Sequence, residues 1–81
     1  VLTDRDRALL EFESRWPGHT AAKEEAVRVE LVLAPARYYQ LLNRLIDRED
    51  AMAHDPLLVG RLRRSRDARR RDRERRLSTA S

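Results

Sequence analysis

The chain is predicted to be all-α: a three-helix helix-turn-helix domain followed by a C-terminal basic helix. Three observations point there. Within residues 35–46, Tyr38, Leu41, Leu42, Leu45 and Ile46 recur at spacings of three, four, seven and eight, which places them on one helical face. Helix starts are marked by Thr3, Thr20, Pro35 and the pair Asp55-Pro56, all residue types that satisfy or dispense with free N–H groups. No stretch shows the alternation of apolar and polar residues expected of a half-buried strand.

Each element follows from local chemistry. Thr3, with Asp4 and Asp6 behind it, reads as an N-cap with acids in the first turn, opening a helix over about residues 3–15. Its predicted inner stripe is Ala8, Leu9, Phe12 and Trp16, with Leu10 near the edge. Trp16 is expected to anchor the core where Pro17-Gly18 ends the helix. Thr20 caps a second helix over about residues 21–31. Ala22, Ala26, Val27 and Leu31 are expected to face inward, and Lys23, Glu24, Glu25, Arg28 and Glu30 outward. Val32-Leu33-Ala34 is a tight break, because the residue before a proline is pushed out of helical geometry. The third helix is expected over about residues 35–47. After a charged stretch, Ala51-Met52-Ala53 reads as a short helical turn, with Met52 filling a gap in the core and His54 in a surface linker. The last helix begins at residue 56, and Leu57, Leu58, Val59 and Leu62 are expected to pack on the domain.

The domain is therefore assigned to residues 1–62 and an arginine-rich tail to residues 63–81. The tail reads as a protruding helix or as a partly disordered segment that orders on a polyanion. Asp67 is spaced to pair with Arg70 and Arg71, and Asp72 with Arg75 and Arg76, but each pair adds only a few tenths of a kcal/mol. Residues 77–81 are expected to fray.

Eighty-one residues allow one small core. With no cysteine, neither disulfides nor thiolate metal sites can supplement it. His19 and His54 stand far apart without ligand-like neighbours, so no metal and no cofactor are expected. Apolar runs are too short to span a membrane, and the opening Val1-Leu2-Thr3-Asp4-Arg5 carries no secretory pattern. A cytoplasmic, nucleoid location is expected.

Charge is unevenly spread. The net charge is +4, yet residues 1–60 carry −3 and residues 61–81 carry +7. Such asymmetry suggests an anion-binding tail on a nearly balanced domain. Of 18 basic residues, 17 are arginine, which can grip phosphate or guanine bidentately, although high genomic G+C content favours arginine too.

Numbered from Glu24 to Asn43, a helix-turn-helix unit is apolar where this chain has Val27, Leu31, Leu33, Tyr38 and Leu41, the positions that close the corner between two steeply crossing helices. Two residues depart from the pattern. Arg28 replaces a small residue, and Val32 replaces the usual turn glycine, although valine resists a left-handed backbone. Residues 35–46 would then be a recognition helix. Ala36 is small enough to touch a thymine methyl, and Arg37 is suited to guanine or phosphate. Tyr39, Gln40, Asn43 and Arg44 line the expected outer side, with Gln40 or Asn43 suited to adenine. Arg61, Arg63, Arg64 and Arg66, then Arg69, Arg70, Arg71 and Arg73, are expected on phosphates.

The predicted partner is double-stranded DNA, for a small transcriptional regulator or nucleoid-associated protein. A homodimer is expected, since one small module reads a short site. The alternatives are a protein-interaction module docking on the transcription machinery and RNA or ribosome binding through the tail. No enzyme is expected: Glu24 and Glu25 read as a solvated face, with no nucleophile, paired base or phosphate loop beside them.

Several runs carry a resemblance. Leu2-Thr3-Asp4-Arg5-Asp6-Arg7, Ala22-Lys23-Glu24, Arg37-Tyr38-Tyr39-Gln40-Leu41-Leu42-Asn43, Leu45-Ile46-Asp47 and the stretch from Asp55-Pro56-Leu57-Leu58 to Arg63 together span nearly the whole chain. They resemble a family of small actinobacterial proteins classed as a domain of unknown function. The resemblance implies a bacterial cytoplasmic protein from a high-G+C organism and brings no activity with it. It also implies that glycine is usual where this chain has Val32.

Overall fold

The computed structural model describes residues 1–79, and its regular structure is entirely helical. In chain order the helices are α1 (Asp4–Arg15), α2 (Ala21–Ala26), α3 (Pro35–Leu45), α4 (Glu49–His54) and α5 (Pro56–Thr79). Between α2 and α3 the helix widens into a π turn over Val27–Leu31. The ends fall where capping chemistry puts them. Thr3 Oγ1 accepts from the Asp6 N–H at 3.0 Å while Asp6 accepts from the Thr3 N–H at 3.0 Å, a reciprocal capping box. That backbone bond is the main reason the Asp6 carboxyl is held below the usual carboxylate range. Thr20 caps α2 by accepting from the Lys23 N–H, and Asp55 caps α5 by accepting from the Leu58 N–H.

The core is small and contiguous. Leu9, Leu10 and Phe12 of α1 meet Tyr38, Leu42, Leu45 and Ile46 around α3, closed by Val27, Ala51, Leu58 and Val59. Aromatic rings stack through its centre. Phe12 lies edge-on to Tyr38 at 5.4 Å between centroids, and Trp16 stacks on Phe12 at 6.2 Å. Trp16 stays half-buried, so it caps the core rather than filling it. Of the five positions expected to close the corner, Val27 and Tyr38 are fully buried, and Leu31, Leu33 and Leu41 are half-buried at its edge.

Several orientations differ from expectation. Ala8 and Ala22 are exposed, and Lys23 is buried rather than solvated. The inner stripe of α2 is thus rotated by one position, to Lys23, Ala26 and Val27. The cause is a partner elsewhere in the chain. Lys23 Nζ donates to Glu13 Oε1 at 2.7 Å and to the Gly18 carbonyl at 2.8 Å, while the Tyr38 hydroxyl donates to the same Glu13 Oε1 at 2.6 Å. Gly18 takes φ +84°, a left-handed turn that glycine adopts at little cost and that leaves its carbonyl as an acceptor for Lys23. Leu57, expected to pack on the domain, is instead 86 % exposed. The helical turn expected near residue 52 extends over all of α4, with Met52 half-buried. α3 stops two residues short of the expected end.

Of the two readings of the tail, the helical one holds: α5 runs unbroken through it to Thr79. The fraying expected at the end falls partly on Ala80 and Ser81, outside the described residues. At about 1.5 Å rise per residue, the 24 residues of α5 make a rod of roughly 36 Å. It accounts for most of the molecule's 45 Å long axis.

Val32 ends the π turn in the left-handed conformation, with φ 54° and ψ 45°. Its N–H bonds the Val27 carbonyl, so the turn closes one residue wider than an α-helical end. A β-branched residue is strained there, and its side chain is 83 % exposed, so little packing compensates. Val32→Gly is therefore expected to stabilise the fold by about 0.5–1 kcal/mol, because relief of the left-handed penalty exceeds glycine's added chain entropy. A thermal melt should show the Tm higher by several degrees; an unchanged or lower Tm would show that the turn is not strained.

The buried cluster makes a second prediction. Lys23→Met leaves the Glu13 carboxylate in the core without its cation. It should destabilise by about 3–5 kcal/mol, a large share of the stability of so small a domain. Combining it with Glu13→Gln should cost much less than the sum of the single changes in urea denaturation. Additive costs would show that the pair is not coupled.

Candidate functional site

α5 passes beside the C-terminal end of α3, and two of its arginines hold it there. Arg63 Nε donates to the Ile46 carbonyl, one of the acceptors left open where α3 ends. Its Nη2 reaches the Arg48 carbonyl at 3.5 Å. Arg66 Nη1 bonds Asp47 Oδ1 at 2.7 Å, and its Nε bonds Asp67. The hydrogen bond from Asp47 and its charge hold the Arg66 guanidinium even more firmly protonated than usual. Arg63 and Arg66 are both half-buried.

One turn further on, Arg69 Nη1 lies 2.8 Å from His19 Nε2, and His19 Nδ1 lies 3.0 Å from the Tyr39 hydroxyl. A guanidinium only donates, so His19 Nε2 is the acceptor and the ring proton sits on Nδ1, donating to Tyr39. Tyr39 is half-buried, edge-on to Tyr38 at 5.1 Å, with Lys23 Nζ 5.6 Å from its ring centroid. Burial, then the nearby Glu13 and Glu24 charges, raise its hydroxyl pKa, while Arg69 works the other way.

Between these contacts α3 and α5 leave a groove. Its outer part, about 540 Å³, is lined by Arg44 of α3 and by Arg66, Arg69, Arg70 and Arg73 of α5. The four α5 residues sit at i, i+3, i+4 and i+7, one face of the helix. Asp47 is the one carboxylate in this lining, and Arg66 already engages it. Arg44, Arg70 and Arg73 have no ion-pair partner among the described residues. The inner part, about 510 Å³, runs on towards Glu13, Leu42, Ile46 and Leu62.

The residues expected to bind therefore divide. Ala36, Arg37 and Gln40 are exposed on the N-terminal half of α3, with Arg37 Nη1 3.4 Å from Gln40 Oε1. Tyr39, expected on a free outer face, is instead half-buried and hydrogen-bonded to His19. Asn43 and Arg44 face the groove. Of the C-terminal arginines, Arg61, Arg66, Arg69, Arg70 and Arg73 line the groove, and Arg66, like Arg63, also fastens α5. Arg64 is exposed beside Gly60, and Arg71 lies in a different surface hollow with Glu74 and Arg75. His19, Glu13 and Lys23 are not among the residues that sequence reasoning singles out for binding. One signal for Lys23 is present: it is the single lysine among 18 basic residues.

No group of three or more His, Asp or Glu side chains that could hold a metal ion occurs among the described residues. No helix among them is long and apolar enough to cross a membrane.

These features belong to a small all-helical protein with a basic groove beside its third helix. The chain belongs to the family described as protein of unknown function (DUF3263), whose model matches residues 1–74. The match includes α1 to α4 and the groove-forming part of α5. No curated protein and no solved structure matches the chain.

The division of the arginines can be tested. Arg63→Ala should cost about 1–2 kcal/mol, since the carbonyl of buried Ile46 loses a charged donor. Arg70→Ala should change stability by less than about 0.5 kcal/mol, as exposed substitutions usually do. Equal effects in chemical denaturation would show that α5 is not fastened through Arg63.

Proposed function

We propose that this protein binds double-stranded DNA as a small transcriptional regulator or nucleoid-associated protein at the nucleoid. The arginine groove would grip phosphate, and the exposed edge of α3 would meet the bases. One observation carries the reading: Arg44, Arg69, Arg70 and Arg73 converge on one groove with no carboxylate left to neutralise them. A protein that needed only solubility would pair or disperse such charges. Concentrated and unpaired, they release counterions when they meet phosphate.

The helix-turn-helix reading fits the burial of Val27 and Tyr38 and the exposure of Ala36, Arg37 and Gln40 at the start of α3. With Tyr39 and Asn43 turned towards α5, base readout falls to Ala36, Arg37 and Gln40, and Arg44 joins the phosphate set. The basic stripe is on the rigid flank of the same helix, so phosphate contacts would fix how the reading edge enters the major groove.

The experiment is duplex binding at several salt concentrations, followed by selection from a randomised duplex pool. Replacing Arg70 and Arg73 together by alanine should weaken binding to every sequence. It should also reduce the slope of log affinity against log salt by about 2, roughly 0.9 for each phosphate that an arginine no longer neutralises. Arg37→Ala or Gln40→Ala should relax sequence preference more than it lowers non-specific affinity. Affinity and salt slope unchanged in the Arg70/Arg73 variant would overturn the groove as the DNA grip. Absence of any preferred sequence in the selection would remove base readout by α3.

A further inference from the structure

The inner part of the groove has a different character from the outer part, and the duplex contacts proposed above make no use of its inner end. It is a cavity of about 510 Å³, within the range of roughly 300–1,000 Å³ typical of small-molecule sites. Its walls are apolar and aromatic, from Leu42, Ile46, Leu62 and Tyr39. At its inner end is Glu13, only 4 % exposed. Glu13 Oε1 receives both the Lys23 and the Tyr38 hydrogen bonds, and Oε2 has no partner among the described residues. A carboxylate oxygen only accepts, so an occupant must bring a donor to it. Asn43, on the wall, can donate or accept. At the other end His19, Tyr39, Asn43 and Arg69 are shared with the outer groove, where Arg70 and Arg73 stand without carboxylate partners.

The site is thus polarised along its length. One end suits a flat head bearing N–H donors, and the other suits more than one negative charge. From this we infer that the cavity binds a guanine nucleotide, base inward against Tyr39, Leu42 and Leu62, with its phosphates on Arg69 and Arg70. Guanine carries adjacent N1–H and N2–H donors on one edge, and the free oxygen, Glu13 Oε2, can accept both. The ring faces suit the apolar and aromatic walls, and a diphosphate matches the arginines bidentately. This inference shares Arg69 and Arg70 with the proposed duplex grip, but its base pocket around Glu13, Leu42 and Leu62 is separate from the edge of α3 proposed to read bases.

The test is calorimetric titration of the full chain at low salt with guanosine diphosphate, guanosine and inorganic pyrophosphate. Guanosine diphosphate should bind at least tenfold tighter than either fragment, since only it fills both ends. Inosine diphosphate, lacking the N2 amino group, should bind several-fold more weakly than guanosine diphosphate. Ser65→Trp places a large ring into the cavity from an exposed position on α5. It should reduce guanosine diphosphate affinity tenfold or more and leave pyrophosphate binding unchanged, with the helical circular dichroism retained. Pyrophosphate binding as tightly as guanosine diphosphate to the unaltered chain would overturn the inference, leaving a phosphate groove alone. A single-stranded tetranucleotide binding more than tenfold tighter than guanosine diphosphate would overturn it too, in favour of a base on a strand. Loss of duplex binding on replacing Arg37 or Gln40 bears only on the DNA reading, so the two proposals fail separately.

Discussion

The interaction on which the rest depends is the buried contact of Glu13, Lys23 and Tyr38. It joins three successive helices and the turn at Gly18 through a single carboxylate oxygen and a single ammonium. Burying two charges costs several kcal/mol each, and their attraction offsets this only when nearly every donor and acceptor is used. Here the ammonium has a carboxylate, a carbonyl and two aromatic rings around it. Burial and the bond to Glu13 push the Tyr38 hydroxyl far above its usual pKa, so it remains a neutral donor. An apolar cluster tolerates small rotations of its helices. An ion pair that also holds a carbonyl and a hydroxyl does not, so this cluster sets the orientation of α2 and α3 relative to α1.

That orientation places the start of the groove. Tyr38 inside fixes Tyr39 beside it, half-buried at the boundary, and Tyr39 holds His19. His19 in turn meets Arg69, fifty residues away in sequence. A line of contacts thus runs from the core cluster to the basic face of α5.

The arginines of α5 serve two ends. Arg63 and Arg66 direct their donors to the end of α3, and Arg63, on the Ile46 carbonyl, replaces the capping that a lone helix would take from water. Arg69, Arg70 and Arg73, one and two turns on, are left to face the groove. The distinction is positional: the first two lie within reach of Ile46 and Asp47, and the last two have no acid of the domain opposite them. Residues of one type in one helix therefore divide into fasteners and a charged surface. The left-handed Val32 before α3 is a further consequence of short connections. The π turn widens the end of the preceding helix, and a strained residue is held where glycine would be relaxed.

What the amino-acid sequence determined by itself is the local structure. Thr3, Thr20 and Asp55 accept from N–H groups three residues away, and Pro35 and Pro56 start helices through their own rings, so these helix starts were legible without knowledge of the fold. The face carrying Tyr38, Leu42, Leu45 and Ile46 was equally legible, because a 3.6-residue period is a property of the segment alone. Tertiary structure decided where the long polar side chains end. Lys23 looked solvated and is in the core, Tyr39 looked free and is held by His19, and Arg63 looked like a phosphate ligand and is a cap. In each case the deciding partner lies 10 to 20 residues away, at Glu13, His19 or Ile46. A long side chain can satisfy its charge in water or on a distant partner at similar free energy. Only the packing of the helices brings that partner within hydrogen-bonding distance and settles which it takes.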